Sequence, residues 1–97
     1  LYLVKIRIMK KTPKSTPKSS ASKVAEKALV LINDDYNTFD HVVDCLISLC
    51  DHKPIQAEQC ALLTHYKGSC EVLIGKYTDL ELVKDDLALY GLNVEIL

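Results

Sequence analysis

Three groups of side chains in this sequence could take part in chemistry. The first is Asn33-Asp34-Asp35, an amide and two carboxylates in a row. Such residues favour turns, through bonds from their side chains to nearby backbone. They also offer oxygen acceptors to a cation, either an ammonium or a metal. Calcium fits poorly, because the cluster lacks alternating ligands and a distant bidentate Glu. The second is His65, beside Tyr66 near the close of an apolar helical stretch. A neutral imidazole there either packs or accepts a hydrogen bond. The third is the cysteine set, Cys45, Cys50, Cys60 and Cys70. It contains no CxxC and no paired Cys/His spacing suited to zinc. Cys60 and His65 are five residues apart, which turns them about 140° from each other on a helix. Cys70 can lie nearer His65, but no third group or oxyanion arrangement accompanies that pair. These residues point to binding, without enzyme activity, metal or other cofactor.

Local patterns place those groups on six elements. Ala28-Leu29-Val30-Leu31-Ile32 is a short branched apolar run and predicts a buried strand that stops at Asn33. Thr38 is suited to cap a helix whose apolar face is Phe39, Val42, Val43, Leu46 and Cys50, ending near Asp51. Asp40 lies in its first turn, on the favourable side of the helix dipole. Pro54 opens a second helix with Ala57, Cys60, Ala61 and Thr64 inward and Leu63 beside them, and Gly68 closes it. Cys70 to Ile74 reads as a second strand, followed by a turn at Gly75-Lys76. Thr78-Asp79-Leu80-Glu81 has the form of a capping box. It heads a third helix, with Leu80, Val83, Leu87 and Tyr90 on one face and Gly91 at its end. Leu92 to Leu97 completes the set as a strand. The order β-α-α-β-α-β predicts an α+β domain, a small three-stranded sheet with three helices packed on one face.

Size and charge narrow the function. The 97 residues suit one domain with a modest core, and binding at a surface pocket rather than a deep cleft. Net charge is only -1, yet it is unevenly spread. Lys5, Arg7, Lys10, Lys11, Lys14, Lys18, Lys23 and Lys27 face Glu26 alone, whereas the remainder holds twelve of the thirteen acidic residues. Residues 10–23 are rich in Lys, Ser, Thr and Pro and have little to bury. Residues 1–26 are therefore expected to form a mobile basic arm, and residues 27–97 the folded domain. Residues 1–8 read as a short β-like segment or a spurious start ahead of Met9. The acidic domain repels phosphate, so no nucleic-acid partner is expected. Lys5 and Arg7 interrupt the first apolar stretch, and no run approaches the ~20 apolar residues of a membrane span. No membrane partner is expected either, and helix-borne free cysteines suit a reducing cytoplasm.

One family combines these features. Leu29-Val30-Leu31-Ile32-Asn33-Asp34-Asp35-Tyr36, then Thr38-Phe39-Asp40-His41-Val42, and later Gln56 to Gly68 with Ala61-Leu62-Leu63-Thr64-His65-Tyr66-Lys67-Gly68, resemble the ClpS adaptors of Clp proteases. The resemblance spans residues 28–97 and carries the same β-α-α-β-α-β order. It implies a protein that binds peptides beginning with Leu, Phe, Tyr or Trp and hands them to a Clp AAA+ unfoldase through a ClpA- or ClpC-type N-domain. By position, Asn33 and His65 would accept from the peptide α-ammonium, Asp34 would add charge and local bonding, and Asp35 would shape the turn. The side-chain pocket would fall on Phe39, Val42, Ala61, Thr64 and Leu97. Phe39 and Ala61 stand where the family often has Met, and Thr64 where it often has Val. An internal Leu has no ammonium and would strand the acceptors, at a cost of about 1–3 kcal/mol. A monomer is expected. The C-terminal domain of the ribosomal stalk protein shares the fold, and a docking module of that kind, needing neither Asn33 nor His65, is the rival reading.

Overall fold

A computed structural model describes residues 26–97. Apart from Glu26, the arm expected over residues 1–26 lies outside the described residues. The elements are β1 (Lys27–Ile32), α1 (Phe39–Cys50), α2 (Pro54–Lys67), β2 (Ser69–Gly75), α3 (Tyr77–Leu89) and β3 (Val94–Ile96). This is the predicted β-α-α-β-α-β order.

The first strand is the middle one. The sheet runs β2-β1-β3, with β1 antiparallel to both neighbours. A central strand buried on both faces needs a continuous apolar run, and Leu29, Val30 and Leu31 are all buried. Leu29 and Leu31 join the main core with Val42 and Leu46 of α1, Ala57 and Ala61 of α2, and Leu80 and Leu87 of α3. All three helices thus cover one face. Burying each Leu contributes about 1.5–3 kcal/mol relative to exposure.

The β1–β2 ladder contains a bulge. Leu29 pairs with Leu73 and Val30 with Glu71, leaving Val72 as the extra residue. Its carbonyl is taken by Nε2 of His52 at 2.8 Å. His52 sits in the α1–α2 connection, which the sequence reads only as a link, yet it is 5 % exposed. A carbonyl can only accept, so Nε2 carries the hydrogen, and Nδ1 is buried without a partner among the described residues.

Helix ends follow local chemistry, with one exception. Thr38 Oγ1 accepts from the N–H of His41 at 3.1 Å, as an N-cap should. Gly68 ends α2 at φ 97°, a left-handed conformation that suits glycine. Gly91 and Leu92 close α3 by donating to the carbonyls of Ala88 and Leu87 respectively, the paired bonds of a Schellman ending. The exception is the start of α3. The capping box expected at Thr78 and Glu81 does not form, because the helix begins at Tyr77 with Lys76 as its cap. The Lys76 carbonyl already accepts from Asp79 and Leu80, so Thr78 lies inside the first turn. Tyr90, expected on the inner face, is 57 % exposed because it belongs to the cap.

Candidate functional site

The polar end of β1 meets the end of α2. Asn33 donates its backbone N–H to the Gly68 carbonyl at 2.9 Å, extending the ladder one residue past the strand. On the other side Ile32 donates to Asn93 at 2.8 Å. Asn33 therefore sits between the last turn of α2 and the loop that leads into β3. His65 is in that last turn of α2, half-buried, with its ring edge-on to Tyr66 at 4.8 Å. Its Nδ1 is buried and makes no hydrogen bond among the described residues.

Asp34 organises the turn that follows. Its Oδ1 accepts from the N–H groups of Tyr36 and Asn37, each at 2.9 Å, and its Oδ2 accepts from the Asn37 amide at 2.7 Å. Partial burial pushes the carboxyl up, but these bonds to Asn37 and Tyr36 outweigh it and hold the carboxyl below its ordinary range. Asp34 therefore carries its negative charge at neutral pH beside Asn33. Asp35 is exposed, and the turn's bonds run to Asp34 instead.

Asn37 is the residue that sequence reasoning missed. Its amide also donates to the Gly91 carbonyl at 3.0 Å, which ties the turn to the end of α3. An Asn after an acidic turn is a recognisable signal for local bonding. Its link across the fold is not visible in sequence.

The apolar candidates divide into two groups. Val42, Ala61 and Thr64 are buried, and Phe39 is half-buried at the start of α1. Val42 and Ala61 share the core cluster against which Phe39 packs. Thr64 donates its hydroxyl to the Cys60 carbonyl at 2.8 Å, so its polar hydrogen is satisfied within the helix. Leu97 does not belong with them. Leu97 and Ala28 exchange both backbone hydrogen bonds, at the opposite end of β1 from Asn33, and the Leu97 side chain is 66 % exposed. Antiparallel pairing forces this, since β3 passes Asn33's end at Asn93 and runs away from it. Leu92, next to Asn93, is buried.

A Cys–His nucleophile pair finds no support in this geometry. Cys60 is engaged with Cys70 rather than with His65. A second contact, between Cys45 and Nε2 of His41 at 3.6 Å, borders a separate small cleft with Asp44, Ser48, Leu49 and Tyr90. There Nε2 is 2.9 Å from the Tyr90 carbonyl and must donate to it. Burial, then Asp44, pushes the Cys45 thiol up, the opposite of an activated nucleophile. Among the described residues, no group of three or more His, Cys, Asp or Glu is placed to hold a metal.

Comparison with known proteins identifies the fold's lineage. The family model for the ATP-dependent Clp protease adaptor protein ClpS matches residues 22–95. The chain belongs to the ClpS family. The ClpS adapter protein of Nostoc sp. is 30% identical over 91 residues, spanning 89% of this chain and 94% of that protein. That of Thermosynechococcus vestitus is 31% identical over 67 residues, spanning 68% of this chain and 71% of that protein. Agrobacterium tumefaciens ClpS2, solved bound to L-phenylalaninamide, superposes with a TM-score of 0.64 over 74% of this chain and 94% of that one. At 19% identity this likeness speaks for the fold. ClpS proteins are adaptors of a protease, and this chain's membership of the family agrees with the binding chemistry read from its sequence. No helix among the described residues is long and apolar enough to cross a membrane.

Proposed function

We propose that this ClpS-family chain binds the free N-terminus of a substrate beginning with Leu, Phe, Tyr or Trp and delivers it to a Clp AAA+ unfoldase. One observation carries the reading. The Asn33–Gly68 bond holds Asn33 against the turn of α2 where His65 has a buried ring nitrogen with no hydrogen bond among the described residues. Ionised Asp34 adds negative charge at the same place. An amide, an imidazole and a carboxylate suit a primary ammonium, which needs acceptors in several directions. The substrate's first side chain would then enter between Phe39 and the small residues Ala61 and Thr64, with Val42 beneath. Family membership and the ligand of the Agrobacterium protein, an amino acid amide with a free α-amino group, support the same reading. The adaptor acts as a monomer in the cytoplasm, docking on a ClpA- or ClpC-type N-domain.

Fluorescence anisotropy tests the capture. A labelled Phe-initiated peptide should bind, and its N-acetylated copy should not. Asn33→Ala and His65→Ala should each cost about 1–3 kcal/mol of affinity, because each removes a bond to a charged group. Equal binding of the acetylated peptide would refute ammonium recognition.

A further inference from the structure

Two of the four cysteines meet across elements. Cys60, on the inner face of α2 and 4 % exposed, points its thiol at Cys70, the second residue of β2, with 2.7 Å between the sulfur atoms. Cys70 is half-buried. Rigid structure holds both: Cys60 is part of the helical core, and Cys70 pairs with Leu31 of the central strand. Cys45 and Cys50 lie buried on α1.

We propose that Cys60 and Cys70 form a modification site, a dithiol that a peroxide-class oxidant converts to a reversible disulfide tying α2 to β2. The two sulfurs divide the work by environment. The Cys60 hydrogen bond lowers the Cys70 thiol and, together with burial, raises that of Cys60. Cys70 is also the more accessible, so it attacks first. Its thiolate takes one peroxide oxygen as the O–O bond breaks. Hydroxide leaves, gains a proton to become water, and Cys70 becomes a sulfenic acid. The Cys60 thiol then attacks that sulfur. The S–S bond forms while the Cys60 proton and the sulfenic hydroxyl depart as water. Two electrons pass from the sulfurs to the peroxide.

The closed loop contains Ala61, Thr64, His65 and Gly68, one flank of the proposed peptide site. Oxidation would fix that flank against the sheet, a consequence that rests on the functional reading above, whereas the sulfur chemistry does not.

The test uses the full chain treated with hydrogen peroxide under non-reducing conditions. Intact mass should fall by two hydrogens, and tryptic mapping should join residues 28–67 to residues 68–76 through Cys60 and Cys70. The melting temperature should rise by on the order of 10 °C, because the link removes freedom from the unfolded chain. Dithiothreitol should reverse both changes. Cys70→Ser, at a half-buried position, should fold and show neither. Cys60 and Cys70 thiols that stay free to alkylate, or that oxidise only to sulfinic acids or between molecules, would overturn the proposal. None of these readouts requires a peptide, so their failure is distinguishable from failure of ammonium capture.

Discussion

Replacing Asn37 with Ala tests whether the turn after β1 is built as described. The backbone N–H of residue 37 survives, so Asp34 keeps both bonds to its Oδ1. Two side-chain bonds disappear, one to the Asp34 carboxylate at 2.7 Å and one to the Gly91 carbonyl at 3.0 Å. A bond to a charged group contributes about 1.5–3 kcal/mol and a neutral one about 0.5–1.5. Partial exposure favours the lower ends, so the pair should be worth about 2 kcal/mol. For a domain this small, that lowers the melting temperature by on the order of 10 °C. The pH profile should change as well. A carboxyl held low by native bonds adds stability above its unfolded pKa, and that stability is lost as pH falls through the folded pKa. For Asp34 the window lies below its ordinary 3.8. Asn37→Ala should flatten the acid limb there, because it removes one of the bonds that depress the carboxyl. Calorimetry from pH 7 down to about 2.5 measures both effects. An unchanged melting temperature with an unchanged acid limb would refute the role given to Asn37.

Three further outcomes are expected. Gly68→Ala should destabilise the domain by about 1 kcal/mol through backbone strain alone, since nothing lies within 4 Å of the added methyl, and Gly68→Asn should cost less in the same thermal melts. Phe39→Ala should open the proposed side-chain pocket and admit Ile- or Val-initiated peptides; anisotropy showing them still excluded while Phe-initiated peptide binds would remove Phe39 as the gate. Deleting residues 1–26 should leave peptide affinity unchanged but abolish accelerated degradation of a Phe-initiated reporter by the matching unfoldase and protease, because tethering raises effective concentration; full delivery without them would make them dispensable.

What could be read from sequence was local. Thr38, Pro54 and Gly68 mark helix ends by chemistry confined to a few residues, and each stands at the end it was assigned. The apolar spacing in α1 and α2 likewise places Val42, Leu46, Ala57 and Ala61 in the core. Thr78 misled because a good capping sequence lost to an earlier start at Tyr77. His52 and Asn37 were illegible for another reason. Their partners, Val72 and Gly91, lie 20 and 54 residues away, so no periodicity connects them. Leu97 was misplaced because strand direction, not sequence position, decides which end of β3 reaches Asn33. The proposed acceptors were legible through family resemblance, while the bond that brings Asn33 to α2 required the fold.

The place of β1 at the centre of the sheet has a consequence for biosynthesis. The strand made first among the described elements needs partners from β2 and from β3, the last to be made. A ribosome that has released Leu29, Val30 and Leu31 has released an apolar strand with the edge that β3 will cover still open. That edge closes only when Val94–Ile96 emerge. The turn at Asn33 waits equally long, since Asn93 flanks it and Gly91 anchors Asn37. Folding of this domain must therefore wait for Val94–Ile96, at a rate limited by long-range strand closure. A nascent chain stalled short of Gly91 would display an unfinished sheet edge, the kind of surface that invites pairing with other chains.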